Sequence, residues 1–201
     1  MYMYGKRLLL TAVGGIAALS FAMPALAVMS VPYGWYLEAN GGSTQLSNKS
    51  YPGNASTSGI GGSAALGYKF MPYFSTEVGY SLYATTSVKN GAGTKAGSDR
   101  HYSYDLAFKG ILPAYATGLE AFAKLGVGRN VSSQTVQNSA AAAALGYGSS
   151  SHSASGLYLA AGAQYYFIPE MAVVAQWARQ VGNSNTGNLD LYSLGLSFIF
   201  D

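Results

Sequence analysis

An all-β fold, an eight-stranded antiparallel up-and-down transmembrane β-barrel, is what this sequence predicts, and three observations predict it. Polar and apolar residues alternate with period two over eight separate stretches of roughly ten residues, the length and pattern of a tilted membrane-crossing strand. Charged residues make up only 9% of the 201 residues while aromatics reach 13%, with 17 Tyr. A soluble domain carries roughly 25% charge, so this chain has too few charges to coat a water-facing surface. Finally, the body of the chain has no run of the roughly 20 apolar residues that a spanning helix needs. Cysteine is absent, which removes disulfides, thiolate nucleophiles, Cys-based metal sites and a lipidated N-terminal Cys.

The N-terminus sets the compartment. Lys6 and Arg7 precede an apolar run from Leu8 to Ala22, and Met23-Pro24-Ala25-Leu26-Ala27 supplies a helix breaker and small residues at the A-x-A positions. Residues 1–27 are therefore expected to be a cleaved secretory signal peptide and 28–201 the barrel domain. Removing Lys6 and Arg7 lowers the formal charge from +3 to +1. No basic patch suggests nucleic acid as a partner.

The eight strands follow in order. Trp35, Leu37 and Ala39 share one face against Tyr36, Glu38 and Asn40. Ala64, Leu66, Tyr68 and Phe70 oppose Ser63, Gly67 and Lys69; Phe74, Thr76, Val78, Tyr80 and Leu82 oppose Ser75, Glu77 and Gly79. Tyr102, Tyr104, Leu106 and Phe108 oppose His101, Ser103, Asp105 and Lys109. Leu119, Ala121, Ala123, Leu125 and Val127 oppose Glu120, Phe122 and Lys124. Leu157 to Phe167 sets its apolar positions against Ala160, Gly162, Gln164 and Tyr166, and Val173, Ala175 and Trp177 oppose Val174, Gln176 and Ala178. The last run places Tyr192, Leu194, Leu196, Phe198 and Phe200 against Ser193, Gly195, Ser197 and Ile199.

Connections alternate as regularly as the faces. Short turns carry Pro72, Pro113 and Pro169, whereas Thr44 to Gly59, Thr85 to Asp99, Val131 to Ser155 and the shorter Gly182 to Asn188 are polar loops. Short periplasmic turns and longer external loops, with both mature termini periplasmic, are the expected arrangement. The Ala140 to Ala144 run reads as a low-complexity surface loop in preference to a helical turn.

Which face meets lipid follows from what each face carries. A small barrel cannot hold so many aromatics inside, which disfavours a soluble lipocalin-like fold. Gly67, Gly79, Gly126, Gly128, Gly162 and Gly195 all fall on the polar face, as a crowded lumen requires. A turn at Ala114 and Tyr115 would set Asp105 opposite Lys124 and Lys109 opposite Glu120, and a Met71-Pro72-Tyr73 connection would set Lys69 diagonal to Glu77. A lumenal ionic network of Glu38, Lys69, Glu77, Asp105, Lys109, Glu120 and Lys124 is expected. Outward aromatics form two girdles: Trp35, Phe70, Phe74, Phe108, Phe167 and Phe200 toward the periplasm, and Tyr80, Tyr102, Trp177 and Tyr192 toward the loops.

The stretches GWYLEANGG, ALGYKFMPYFSTEVGYSLY, DLAFKGILP, FAKLGVG and YYFIPEMAVVAQW, in this order, resemble the OmpA-type and OmpX-like family of eight-stranded outer-membrane barrels over essentially the whole mature chain. The closing SLGLSFIF resembles that family's assembly signal, with Ser193, Gly195, Phe198 and Phe200 at its diagnostic places and Asp201 as an extra residue. The resemblance implies the outer membrane of a Gram-negative bacterium, with outer-membrane lipid and lipopolysaccharide as surroundings and the barrel assembly machinery as a biogenesis partner. A periplasmic peptidoglycan-binding domain like that of full-length OmpA proteins is not expected.

Such a fold does not dictate an activity. The expected function is a non-enzymatic, envelope-structural or adhesin-like protein that presents its loops, with no catalytic, cofactor or metal site. Lys49, Lys89, Lys95 and Arg100 on the loops could meet lipopolysaccharide phosphates. Two alternatives are a narrow ion-conducting barrel and a lipid A-modifying enzyme, the latter prompted by a resemblance of His101-Tyr102-Ser103 to the His-x-Ser spacing of lipid A deacylases. The surface ligand and oligomeric state are not written in the sequence.

Overall fold

The computed structural model describes residues 31–114 and 117–200. The expected signal peptide, Tyr115 and Asp201 lie outside the described residues. Eight strands close a ring: β1 (Gly34–Ser47), β3 (Ser58–Met71), β4 (Phe74–Leu82), β6 (Lys95–Ala114), β7 (Leu119–Val136), β8 (Ser150–Ile168), β9 (Met171–Gln180) and β10 (Asn188–Phe200). Every neighbouring pair is antiparallel, β1 pairs β10, and β6 pairs β7 to complete the circle. The last strand therefore leaves no free edge, and its backbone groups are satisfied by Trp35 through Ser47.

The registers fix the barrel's shape. Tyr36, Gly67, Glu77, Ala107, Gly126, Tyr158, Gln180 and Leu189 are successive cross-strand partners, and the path re-enters β1 at Leu46, ten residues beyond its start. Eight strands with that stagger tilt by roughly 40° and enclose an interior that side chains fill. Burial alternates residue by residue: in β1, Tyr36, Glu38 and Asn40 are buried while Trp35, Leu37 and Ala39 are exposed. The lipid-facing and lumenal faces are those the periodicity predicts.

The outer end departs from the expectation of plain loops. Strands run on beyond the expected boundaries, β6 beginning at Lys95 and β7 continuing to Val136. Two short strands, β2 (Asn54–Ser56) and β5 (Thr86–Lys89), extend the sheet from β6. The alanine run forms a helix, α1 (Ser139–Leu145), contrary to the loop reading. Alanine is the strongest helix former; the Asn138 side chain caps the Ala141 amide at 3.0 Å, and Gly146 ends the helix with a left-handed φ of 64°. Ala141 and Ala142 pack with Val88, Ala96 and Tyr147 into a small core outside the barrel proper.

Two lumenal glycines have a visible steric reason. A Cβ on Gly67 would run into the Tyr36 ring, and one on Gly195 would meet the Ala39 carbonyl and the Asn40 side chain. At both, the crowding atoms belong to the neighbouring strand β1.

Candidate functional site

Two buried charged clusters lie one above the other inside the ring. The deeper one is built by strand residues alone. Glu38 on β1 reaches across the lumen to Lys124 on β7, at 3.1 Å, and to Lys109 on β6, at 3.3 Å, and accepts from Asn40 Nδ2 at 2.9 Å. Lys124 also meets Glu77 on β4 at 2.7 Å, and Tyr36 donates to that same carboxylate at 2.8 Å. Lys109 donates to Gln164 at 2.8 Å, Gln164 donates to Glu120 at 2.6 Å, and Lys69 meets Glu120 at 3.0 Å. One connected path thus runs from Lys69 to Tyr36 through both walls of the barrel. The ammonium groups of Lys109 and Lys124 also lie 4.2 and 5.3 Å from the Phe122 ring centre.

Six of the seven charged residues expected in the lumen are joined in this way, but not by the expected pairs. Asp105 lies opposite Gly128, Lys109 opposite Lys124, and Glu120 opposite Pro113. The reason is the turn: β6 and β7 are separated by 115–118 rather than by a two-residue connection, which slides the register by four places while preserving the faces. Directly opposed lysines repel; the Glu38 carboxylate lying between them is what makes this register tolerable. Lys69 is diagonal to Glu77, as its Ser75 pairing requires, yet its ammonium goes to Glu120. Asp105 is buried with no cation within ion-pair distance among the described residues, its carboxylate packed against Gly79.

Leu46, Tyr83, Leu189 and Leu191 form a buried apolar cluster against which Tyr51 of the second cluster packs. At the mouth, beyond the Tyr102 and Tyr104 level of β6, Asp99 accepts from Lys49 at 2.6 Å, Tyr51 at 2.7 Å and Ser132 at 2.8 Å. His101 Nε2 lies 3.2 Å from both Asp99 and Tyr51. Burial alone would raise the Asp99 carboxyl, but the donors His101, Lys49 and Tyr51 hold it well below the usual carboxylate range. Burial, then Asp99, pushes the Tyr147 phenol up to about 12. Lys49 and Tyr51 come from the segment after β1, so this cluster ties a loop down over the opening. Lys49 is consequently not the free loop cation the sequence suggested: its side chain is 3% exposed. His101 and Ser103 share the lumenal face without touching, since Ser103 pairs with Tyr83 at 3.2 Å.

The outward aromatics stand as two bands. Trp35, Phe70, Phe74, Phe108, Phe167, Phe198 and Phe200 are exposed at the turn end, with Trp35 edge-on to Tyr68 at 5.3 Å. Tyr80 and Tyr192 are exposed at the loop end, while Tyr102 and Trp177 are half-buried. Trp177 donates to Asp190 at 3.0 Å, and Asp190 holds Arg179 through two bonds of 2.8 Å. Sequence reasoning missed this trio because it ended the seventh strand at Ala178 and began the eighth at Tyr192. Extending the alternation by two residues on each strand places Arg179 beside Asp190.

Comparison with known proteins bears on the fold. Residues 13–200 match the family model described as outer membrane protein beta-barrel domain. None of the curated proteins matches the chain. Among solved structures, the outer membrane protein OprG of Pseudomonas aeruginosa aligns with a TM-score of 0.59 at 13% identity, covering 87% of this chain and 99% of that one. Neisserial surface protein A aligns at 0.56 and 18%, covering 83% and 97%. Ail, the attachment invasion locus protein of Yersinia pestis, in complex with the heparin analogue sucrose octasulfate, aligns at 0.50 and 13%, covering 83% and 99%. At these identities the likeness is one of fold.

Proposed function

We propose a function for a chain that belongs to the outer membrane protein beta-barrel domain family and resides in the outer membrane of a Gram-negative bacterium. It is a non-enzymatic envelope protein whose ordered loop platform meets the phosphorylated saccharides of lipopolysaccharide at the cell surface. The observation that carries this reading is the segregation of charge. Among the described residues, Glu38, Glu77, Asp99, Asp105, Glu120 and Asp190 are all buried, and the one exposed carboxylate, Glu170, sits in a turn at the opposite end. Lys89, Lys95, Arg100 and Arg129 are exposed at the loop end. That surface therefore presents cations with no competing anion, on a scaffold stiffened by β2, β5 and α1, and it favours a polyanion.

Binding of the detergent-folded protein to immobilised lipopolysaccharide tests the reading. Joint replacement of Lys89, Lys95 and Arg100 by Gln should weaken retention and flatten its salt dependence, whereas Glu170→Gln, in a turn at the opposite end, should leave both unchanged. Retention of the triple variant at wild-type salt would overturn it. A standing ion channel is the second reading, and the Glu38 bridge across the lumen disfavours it.

In the same proposal, Ser193, Gly195, Phe198 and Phe200 form the signal through which the barrel assembly machinery engages β10. Deleting Phe200 together with Asp201 should impair assembly far more than deleting Asp201 alone.

A further inference from the structure

The lipid-facing wall carries a groove that neither charged cluster uses. It is a shallow, open depression of about 530 Å³. Its floor lies where the sheet lacks bulk: Gly41 on β1, Ala161 on β8 and Ala175 on β9. A Cβ on Gly41 would meet nothing. Its walls are Trp177 on β9 with Tyr192 and Leu194 on β10. The registers make this one depression across four neighbouring strands, since Leu194 lies between Gly41 and Ala175 and Trp177 lies between Tyr192 and Ala161.

Arg179 stands one outward-facing position beyond Trp177, at the loop-side end of the groove. Its guanidinium carbon is 5.7 Å from the Trp177 ring centre, and its side chain is 39% exposed. Asp190 engages Nε and Nη2, at 2.8 Å each; a guanidinium has five N–H donors, and the remaining ones have no acceptor among the described residues.

We propose that this groove holds one acyl chain of a phosphorylated lipid A molecule of the outer leaflet, with Arg179 donating to a phosphate on its sugar. In hydrocarbon an apolar depression takes an apolar occupant, and the only cation at its rim among the described residues lies on the side where the outer leaflet's headgroups are. A second copy of the chain, related by a two-fold axis along the membrane normal and seated on this face, would set Arg179 against its own mate at the same depth. The proposal rests on the outer-membrane seating and not on the loop platform, so either can fail without the other.

Native mass spectrometry of the full chain in detergent, with bis-phosphorylated lipid A, the same lipid dephosphorylated, or phosphatidylglycerol, tests it. A one-to-one adduct with phosphorylated lipid A is expected. Ala175→Leu and, separately, Gly41→Leu fill the floor and should cut that adduct about tenfold while the heat-induced gel shift persists. Arg179→Gln should cut it about tenfold, as for one lost charge-assisted hydrogen bond, and leave the dephosphorylated adduct unchanged. An undiminished adduct in both floor variants overturns the proposal. So does equal retention of phosphatidylglycerol, which would assign the groove to bulk lipid, or a dimer that the floor variants abolish, which would assign it to a second copy.

Discussion

The two buried clusters use the same chemistry and hold it in different ways. In the deeper network every charged partner sits on a ring strand, so the register sets Lys109 opposite Lys124, both within reach of the Glu38 side chain. At the mouth, two of the donors to Asp99 arrive on a loop, and Lys49 and Tyr51 must dock to complete the set. Strand-held charges cannot leave one another without opening the barrel. A loop-held charge can leave alone. The first arrangement makes a plug and the second makes a latch, and the distinction can be broken experimentally.

The largest effect is expected for Glu38→Ala, which leaves Lys109 with no carboxylate partner and the opposed Lys124 with Glu77 alone. Removing one partner from a buried ion pair costs about 3–5 kcal/mol, read as a lower urea midpoint for loss of the heat-shifted gel band. Glu38→Leu combined with Lys109→Met should recover part of it. Planar-bilayer recording should be silent for the wild type and show conductance only in Glu38→Ala; a conducting wild type would break the plug reading. Lys49→Ala comes next. It should raise protease clipping between β1 and β3 several-fold while moving the unfolding midpoint by less than Glu38→Ala does, and the reverse order would erase the contrast.

Acid offers a milder probe of the latch. The Asp99 carboxyl lies below its unfolded value, so its contribution is fully present above the ordinary carboxylate pKa and is lost as pH falls through the depressed native one. Pepsin clipping of the first loop should therefore start to rise only as pH falls below about 4, where a free Asp is about half protonated, and keep rising into stronger acid. Smallest is Asn138→Ala, which removes the α1 cap for about 1 kcal/mol. Faster hydrogen exchange confined to the Ala141 to Ala143 amides would register it.

What was legible in the sequence was parity. Glu38, Lys69, Glu77, Lys109, Glu120 and Lys124 could be assigned to the lumen because alternation is local to each strand. Their pairings could not, because register depends on connection length, and the 115–118 turn moved Lys124 from Asp105 to Lys109. Lys49 was misread for a related reason: a loop lysine looks solvated until β6 brings Asp99 beneath it. The α1 helix had local signals in Asn138 and Gly146, which the low-complexity alanine run obscured. Tyr36, Tyr166 and Gln164 were placed on the right face, but their bonds span strands far apart in sequence and leave no local trace.

The circuit from Tyr36 back to Leu46 has one more consequence. Its return of ten residues is even, so a residue assigned to the lumen on leaving β1 is still lumenal when the count comes round. An odd return would give one position two contradictory sides, much as a strip joined with a half twist has no distinct inside. A single inserted residue in mid-strand therefore cannot be absorbed by its neighbours, because the mismatch has nowhere around the circle to end. Among the described residues of the eight-strand ring, such irregularities lie at the turn-end rim, between Lys69 and Met71 and between Tyr166 and Ile168, and a third, between Val88 and Lys89, lies in the β5 extension outside the ring, so each can run off an edge of the sheet.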